Sequence, residues 1–476
     1  MSIQFGLILL LSGCSLLSIK LAFLWVQWCR DWSPSAAALP LPFLLVVAGW
    51  ICLSRVVKQT ACISTEAKQT VRAFWQAWSV SLVLYALMTL RGSDSSLERW
   101  LTVGIWTGCV TAACLTGTLT LHQLRIRQLV SRSWKLRLLA GGLGLVLCAG
   151  AIAVSELVCG RLLAARPVGE AKRYEGTYLE SGALFRHDAD LGSAMQPERR
   201  VSCRLLVGDR QVWDVHYSTD QYGRRRTVVP GTSVPAASAV FFGCSFLFGE
   251  GSEDRQTIPS VFCELAPEFW AVNYGVPGWG TQQMLSLLEA GRVRRETVLP
   301  VKLGVYLYLP EVHEARVIGD MDFVNESSID FPCYVLDPAR GVRRNGSFRT
   351  ARPLTNLFYD VARASRTRAL LGLNFPRRTP AHYMLTAAII AKSRDLFLQE
   401  FPESRFLLVA YPGGESENLT ITECRRSGVE VLNLQGRFDT ADASMQHYGD
   451  GHPTAAANAK TASSILSFIR ISEHAK

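Results

Sequence analysis

One serine at the end of an apolar stretch is the first candidate for chemistry in this sequence. Ser245 follows Ala239-Val-Phe-Phe-Gly243 and Cys244, and it precedes an alternation of aromatic and glycine residues that ends at Gly251. The apolar run has the composition of a buried strand, and glycine permits the sharp turn that must follow it. The stretch predicts a strand that delivers the Ser245 hydroxyl to the carboxyl end of a sheet, where open α/β sheets carry their chemistry. An ordinary turn serine after a buried strand fits the same residues.

One histidine stands in a setting suited to activating that serine. His452 lies in the turn Asp450-Gly-His452-Pro, directly before an alanine-rich helical pattern. A serine hydroxyl is a weak nucleophile until an imidazole takes its proton, and a carboxylate holds that imidazole in the required tautomer. We predict that Ser245, His452 and Asp450 are the catalytic residues. Asp442 is a weaker substitute for Asp450, and His447 is a loop histidine or a further substrate contact.

The order of these blocks resembles the SGNH (GDSL-like) hydrolase family, in particular its membrane-anchored bacterial members. Gly243-Cys-Ser245 stands where the family reads Gly-Asp-Ser, and Asp450-Gly-His452 stands at its acid–base block. The resemblance spans residues 235–470 and implies an esterase with a flavodoxin-like parallel sheet. It also implies that Gly275, in the block Asn273-Tyr-Gly275, donates its N–H to the oxyanion together with the N–H of Ser245.

Two blocks depart from the family pattern. The third block of the family carries an asparagine that donates to the oxyanion, whereas this chain reads Leu309-Pro-Glu-Val-His-Glu-Ala-Arg316. A ring N–H of His313 can donate instead, so His313 and Arg316 are the candidate substrate contacts, with a solvated pair of loop residues as the alternative. The family also places its carboxylate three residues before the histidine. This chain has Gly449 there, so Asp450 takes the role at a shorter spacing.

The chain around these residues alternates between strand and helix patterns. Such alternation predicts an α/β domain whose parallel sheet is covered by helices on both faces. The predicted strands after the serine strand are Trp270–Asn273, Leu303–Leu309, Arg405–Ala410 and Val429–Leu434, and the predicted helices are Thr257–Phe269, Ala381–Phe401 and Thr454–Ile471.

We predict that this SGNH-hydrolase-like domain covers residues 238–476. It contains an insertion at about 317–380, which is strongly basic over Arg340–Arg349 and reads as a solvated loop or as a lid. Residues 161–237 are predicted to be a mixed connecting segment packed on the core. Within it, Arg224–Arg226 read as an anion contact or as a solvated or structural group.

The first 160 residues differ from the rest of the chain. The whole 476-residue sequence is 49% hydrophobic and 19% charged, but the early part contains five apolar runs of roughly the 20 residues that a helix needs to cross a bilayer. The runs are Ile3–Trp28, Ala36–Leu53, Ala73–Leu90, Trp100–Leu121 and Leu138–Val158. We predict five transmembrane helices in residues 1–160. A cleaved signal peptide is the alternative for the first run.

Lysine and arginine are distributed unevenly between the connections of these runs. The second and fourth connections carry Arg55, Lys58, Lys68, Arg72, Arg125, Arg127, Arg132, Lys135 and Arg137, whereas the first and third carry Arg30, Arg91 and Arg99. Because basic residues collect on the cytoplasmic side, we predict a multi-pass protein of the bacterial plasma (inner) membrane. Its N-terminus is cytoplasmic, and its C-terminal domain is periplasmic or otherwise extracytoplasmic.

Composition also bears on cofactors and partners. No Cys-x-x-Cys or His-x-x-x-His spacing occurs, so we predict neither a metal nor another cofactor. The net charge of +10 lies partly in the predicted cytoplasmic loops and accompanies no recognition motif, so no nucleic-acid partner is expected. An exported domain would permit disulfides among Cys159, Cys203, Cys263, Cys333 and Cys424.

These features together predict a membrane-anchored extracytoplasmic serine esterase. The resemblance implies an acylated carbohydrate as substrate, with O-acyl groups removed from a cell-envelope or exported glycan, and the bilayer and envelope-polysaccharide assembly proteins as partners. One alternative is an O-acyltransferase that works with a separate donor subunit. Another is a catalytically silent glycan-binding or assembly component, which a wide separation of Ser245 from His452 would favour.

Overall fold

The computed structural model describes residues 149–474, except residues 151, 154, 167–168, 232–233, 414–417 and 438–441. The chain divides into two compact units, Met1–Ser155 and Glu156–Lys476, and nearly all described residues belong to the second. The predicted transmembrane runs lie outside the described residues, apart from the end of Leu138–Val158. Within the described part of the chain, every helix is too short or too polar to span a bilayer.

Two small antiparallel sheets come first along the second unit. They contain β1 (Lys172–Glu175), β2 (Phe185–Asp188), β3 (Gly192–Met195), β4 (Arg200–Val207) and β5 (Arg210–Ser218), paired as β1-β4-β5 and β2-β3. Successive side chains of a strand point to opposite faces, and burial in β4 follows that alternation. The buried face of this sheet joins the same hydrophobic cluster as Val240 and Phe242 of the next strand.

A five-stranded parallel sheet forms the centre of the unit. The later strands are β6 (Ala237–Gly243), β7 (Phe269–Gly275), β8 (Val301–Tyr308), β9 (Pro332–Asp337), β10 (Gly341–Ser347), β11 (Arg405–Ala410) and β12 (Glu430–Asn433). Of these, the order β12-β11-β8-β6-β7 makes the central sheet, and all four pairings are parallel. This is the flavodoxin-like doubly wound order. The predicted α/β class with a parallel sheet is confirmed.

Helices cover both faces of the sheet. In chain order they are α1 (Ser245–Phe248), α2 (Ile258–Leu265), α3 (Thr281–Glu289), α4 (Arg292–Glu296), α5 (Val312–Ile318), α6 (Phe348–Ala351), α7 (Pro353–Ala364), α8 (Arg366–Leu371), α9 (Pro380–Glu400), α10 (Leu419–Arg426) and α11 (Ala455–His474). Alternate residues of β6 enter two separate cores. Val240 and Phe242 pack with α3, α9 and α10, whereas Ala239 and Phe241 pack with α2 and α11.

The insertion at 317–380 has more regular structure than its sequence predicted. Strands β9 and β10 pair as an antiparallel hairpin, and α6, α7 and α8 follow. The prediction of a solvated basic loop over Arg340–Arg349 is therefore wrong. Strand β10 faces mostly solvent, where a strand needs no run of apolar residues, so the arginines of the stretch Arg340–Arg349 concealed it. Two of them are anchored, because Arg344 donates to the Asp190 carbonyl at 2.9 Å and Arg349 pairs with Asp330 at 2.7 Å.

Candidate active site

Ser245 lies just beyond the carboxyl end of the central strand β6. Strand β6 ends at Gly243, Cys244 is extended, and Ser245 is the first residue of the short helix α1. A Cβ on Gly243 would come within 2.8 Å of the Leu247 side chain, so a glycine is needed to let α1 turn back onto the strand. The Ser245 side chain is therefore held at the carboxyl end of a central strand, with 6% of the residue exposed.

His452 reaches this serine from the far end of the chain. Its Nε2 lies 2.9 Å from Ser245 Oγ, and its Nδ1 is hydrogen-bonded to Asp450 Oδ2. The backbone has positive φ angles at Gly449 and Gly451, and in this turn the Asp450 side chain meets His452 while the His452 side chain meets Ser245. The structure therefore brings together all three residues that the sequence predicted as catalytic, despite the shorter Asp–His spacing.

The hydrogen bonds define the protonation pattern of the site. The ionised Asp450 can only accept, so Nδ1–H of His452 donates to it, and Nε2 is left to accept from the Ser245 hydroxyl. Burial lowers the pKa of His452, but the hydrogen bond to Asp450 and the charges of Glu250 and Asp450 outweigh burial and raise that pKa above its ordinary value. The site thus contains a basic imidazole aimed at a hydroxyl.

Asp450 is held by residues that the sequence analysis did not find. Its Oδ1 accepts from Lys172 Nζ at 3.3 Å and from Tyr174 Oη at 3.4 Å, and 2% of its side chain is exposed. Burial raises the pKa of Asp450, but the hydrogen bond and charge of His452 and the charge of Lys172 hold it below its usual range. Strand β1 of the connecting segment therefore supports the site, and its short, mostly charged sequence gave no signal of this.

Glu250 is a second carboxyl group at His452. Its Oε2 lies 3.5 Å from His452 Nε2, and 9% of its side chain is exposed. Burial raises the pKa of Glu250, the charge of His452 opposes that rise, and the charge of Asp450 adds to it. The sequence signal was a carboxylate between two glycines directly after the serine block, but only tertiary structure shows that it meets the imidazole.

Aromatic rings surround the imidazole on two sides. The Trp213 ring of β5 lies 6.5 Å from the His452 ring, edge to face, and the Phe246 ring lies 5.3 Å from it. The ring centroids of His447 and Trp213 lie 4.9 Å apart. Burial lowers the pKa of His447. Asp442, the weaker substitute for Asp450, instead accepts from the backbone of Ser444.

Gly275 does not offer the free donor that the resemblance implied. Its N–H donates to Asn273 Oδ1 at 2.8 Å, and Asn273 Nδ2 donates to the Leu247 carbonyl. A Cβ on Gly275 would lie 2.8 Å from the Leu247 carbonyl carbon. Gly275 therefore allows β7 and α1 to pack closely, while its N–H is already satisfied by a side chain.

The two predicted substrate contacts of the third block, His313 and Arg316, make contacts within the protein instead. His313 has no exposed surface. Its Nδ1 lies 2.7 Å from Tyr306 Oη, and burial holds its pKa well below the ordinary range. Arg316 donates to the Trp279 carbonyl at 2.6 Å. Both side chains are therefore committed to the fold, because α5 begins at Val312, within the predicted loop, and turns His313 into the core.

The arginines before β6 also have structural partners. Arg224 pairs with Asp220 at 2.7 Å. Arg225 is 1% exposed, pairs with Asp254 at 2.9 Å and lies 4.5 Å from the centre of the Tyr217 ring. Of the two possibilities left open by the sequence, the structural pairing is the one observed for both.

The cysteines of the described chain are unpaired with one another. Cys159, Cys203, Cys244, Cys263, Cys333 and Cys424 are all free and buried. Burial raises the pKa of the Cys203 thiol to about 11, which disfavours the reactive thiolate. The disulfides that an exported domain would permit are absent among these six residues, which pack as small apolar side chains.

Comparison with known proteins gave likenesses only to solved structures. No protein-family model matches the chain, and no curated protein matches it. A member of the lipolytic protein G-D-S-L family from Veillonella parvula DSM 2008 is 13% identical with a TM-score of 0.28, covering 49% of this chain and 97% of that chain. The acetyl xylan esterase Est2A from the rumen bacterium Butyrivibrio proteoclasticus is 10% identical with a TM-score of 0.31, covering 64% of this chain and 99% of that chain.

A third match is a carbohydrate esterase family 2 enzyme with a carbohydrate binding domain from Corynascus thermopiles (Myceliophthora fergusii). It is 10% identical with a TM-score of 0.26, covering 51% of this chain and 68% of that chain. Lipolytic G-D-S-L proteins and carbohydrate esterases thus recur among the matches.

Proposed function

We propose that this chain is an ester-bond hydrolase with Ser245 as its nucleophile. One observation carries the proposal: Ser245 Oγ lies 2.9 Å from His452 Nε2, whose other ring nitrogen is bonded to Asp450. This arrangement supplies a hydroxyl, a base and an orienting carboxylate in hydrogen-bond contact, which is what nucleophilic acyl transfer requires. It also supports an enzyme over a catalytically silent component, for which a wide separation of Ser245 from His452 was expected.

The first half of the reaction forms an acyl-enzyme. His452 Nε2 takes the proton of the Ser245 hydroxyl as Oγ bonds to the ester carbonyl carbon. Asp450 offsets the positive charge that develops on the imidazole. The tetrahedral intermediate then collapses, the bond to the alcohol oxygen breaks, and His452 returns its proton to the leaving alcohol.

The second half of the reaction releases the acid. His452 takes a proton from a water molecule, whose oxygen attacks the acyl carbon. Collapse of that intermediate breaks the bond to Ser245 Oγ, which recovers its proton from His452. Each turnover therefore consumes one water, yields one alcohol and one acid, and restores all three side chains.

Few hydrogen-bond donors are available to the oxyanion of the tetrahedral intermediate. The Ser245 N–H lies in the first turn of α1, where helical N–H groups have no intrahelical partner. The Gly275 N–H is already bonded to Asn273. Removing one oxyanion donor typically costs a hydrolase about 10²–10³ in kcat, so we expect slow turnover unless the substrate contributes its own hydrogen bonds.

We propose O-acylated glycan of the bacterial envelope as the substrate class, and membrane attachment through residues 1–160. The uneven distribution of lysine and arginine along those residues supports an extracytoplasmic location for Ser245. A hydrolase held there would meet acylated polysaccharide during or after export.

The test is acetate release by the purified full-length chain from acetylated polysaccharide. Ser245→Ala and His452→Ala should each lower kcat/KM by about 10³-fold or more, since the nucleophile and its base act as one unit. Ser252→Ala is the matched control, because Ser252 is buried in the following loop and plays no part in the mechanism. Its activity should stay within a few-fold of the wild type.

Activity that persists in Ser245→Ala would contradict the proposal. Consumption of an acyl donor only when a sugar acceptor is added would assign the same residues to acyl transfer, which is a different reaction.

A further inference from the structure

Helix α7 presents an apolar face to solvent within the insertion. Leu354 is 81% exposed, Leu357 61%, Phe358 49% and Val361 67%. Their spacing of three and four residues places them on one side of a helix. Asn356 and Tyr359 point the other way into the protein. Single exposed apolar residues are ordinary, but a contiguous apolar helix face marks a site of interaction.

The position of α7 along the chain indicates what covers this face. Helix α8 follows α7 directly, and its first turn is bound by Glu156. The Glu156 carboxylate accepts from Ser365 Oγ at 2.7 Å and from the Arg366 N–H at 2.5 Å. Glu156 belongs to the last of the apolar runs, Leu138–Val158. The exposed face therefore lies on the helix directly before the one that is bound at the end of that run.

Charge around this junction fits an interface between lipid and water. The segment 156–164 is helical and exposes Leu157 to 56%. Exposed arginines flank the junction at Arg161 and Arg366. Apolar residues with basic neighbours are the composition of helices that lie in the headgroup region of a bilayer, where acyl chains take the apolar side and phosphates the cations.

We infer that the face formed by Leu354, Leu357, Phe358 and Val361 lies on the surface of a lipid bilayer. This rests on the membrane attachment proposed above and deepens it, because a second contact fixes how the hydrolase unit sits on the membrane. The insertion is then a membrane-facing platform. Ser245 then meets ester substrates at a fixed distance from the lipid headgroups.

The test is photo-crosslinking of the full-length chain in phosphatidylethanolamine–phosphatidylglycerol vesicles that contain an alkyne-tagged phospholipid. Leu357→benzoylphenylalanine should form a lipid adduct several-fold more often than Val298→benzoylphenylalanine. Val298 is the matched control because it is 82% exposed and lies outside the insertion. Leu145→benzoylphenylalanine, within the last apolar run, reports membrane insertion separately.

Each remaining outcome overturns the inference in a distinguishable way. A lipid adduct at Leu145 but not at Leu357 removes the docking face and leaves the attachment in place. No lipid adduct at either position removes both. An adduct from Leu357 to another segment of the same chain, or to a second copy, assigns the face to protein instead of lipid. None of these results bears on whether Ser245 hydrolyses esters.

Discussion

His452 lies between two carboxyl groups, one at each ring nitrogen. Asp450 bonds to Nδ1, and Glu250 lies 3.5 Å from Nε2, the nitrogen that also faces Ser245. Asp450 fixes the tautomer, whereas Glu250 acts on the imidazole through its charge. The groups that face Glu250 come from several elements: His452, Asp450, Lys172, Tyr174, Tyr178, Cys203 and Tyr217.

We predict that Glu250→Gln shifts the pH dependence of hydrolysis. Neutral His452 is the active form, so kcat/KM falls as pH drops through its pKa. The negative charge of Glu250 raises that pKa, and its removal should lower it. The acidic limb of a kcat/KM profile should therefore move to lower pH in the variant.

Glu253→Gln is the matched control for this prediction. Glu253 lies three residues away, is partly exposed and accepts from the backbone of His216, so its profile should match that of the wild type. An unmoved acidic limb in Glu250→Gln would mean that Glu250 is neutral at the pH of catalysis and serves only packing.

The sequence predicted the reacting side chains but not those that support them. Ser245, His452 and Asp450 could be found because their chemistry and local turns are visible in short stretches. Lys172 and Glu250 could not, because nothing local distinguishes a lysine in a short charged strand, or a loop glutamate, from solvated residues of the same type. His313 was misjudged for the converse reason, since burial depends on the whole fold.

At the scale of elements, the close packing of β7 against α1 positions the serine. We predict that Gly275→Ala lowers both activity and thermal stability. The new Cβ would lie 2.8 Å from the Leu247 carbonyl carbon, so α1 must move away from the strand, and Ser245 must move with it. The measurement is kcat/KM together with the unfolding temperature of the full chain.

Gly278→Ala is the comparison for that variant. Gly278 has a φ of 84°, but a Cβ added there would meet no heavy atom within 4 Å. The left-handed backbone costs a non-glycine residue about 1–2 kcal/mol, without a collision against α1. Equal losses in the two variants would contradict the steric role assigned to Gly275.

The buried Arg225 ties the segment before β6 to the loop after α1. It pairs with Asp254 at 2.9 Å and donates to the Ser252 carbonyl at 2.9 Å. We predict that Arg225→Met lowers the free energy of unfolding by about 3 kcal/mol, because breaking a buried pair leaves the partner charge uncompensated. Chemical denaturation of the full chain measures this loss.

The control is Arg226→Met, since Arg226 is the exposed neighbour. Its unfolding free energy should change by no more than about 0.5 kcal/mol, as for ordinary surface substitutions. Similar losses in both variants would show that the Arg225 pair adds nothing specific.

Elements with a strong apolar pattern were predictable, and those without one were not. The strand Arg405–Ala410 has the bounds that its sequence predicted, since a fully buried parallel strand is apolar throughout. In the hairpin, β10 carries no such pattern because most of its residues face solvent, whereas β9 is a short apolar run that was not recognised as a strand. Strand β10 pairs with β9 in a sheet of two strands, and no local sequence pattern marks that pairing.

For the whole molecule, the proposed membrane orientation would put Ser245 outside the cytoplasm. We predict that Val298→Cys in spheroplasts reacts with a membrane-impermeant maleimide. The position is 82% exposed, and the six cysteines of the described chain are buried. Labelling of the wild-type chain measures the background from all 13 cysteines of the sequence.

Arg132→Cys, in a connection predicted to be cytoplasmic, should react only after the membrane is permeabilised. Labelling of Arg132→Cys but not Val298→Cys in intact spheroplasts would reverse the predicted orientation. It would also remove exported glycan as the substrate class, while the chemistry of Ser245 would stand.

The most direct measurement is to locate a fluorophosphonate adduct on the full-length chain by peptide mass spectrometry. We predict one adduct, on Ser245, that is strongly reduced in His452→Ala because the hydroxyl then lacks its base. An adduct on another residue, or equal labelling of Ser245 with and without the His452 imidazole, would contradict it.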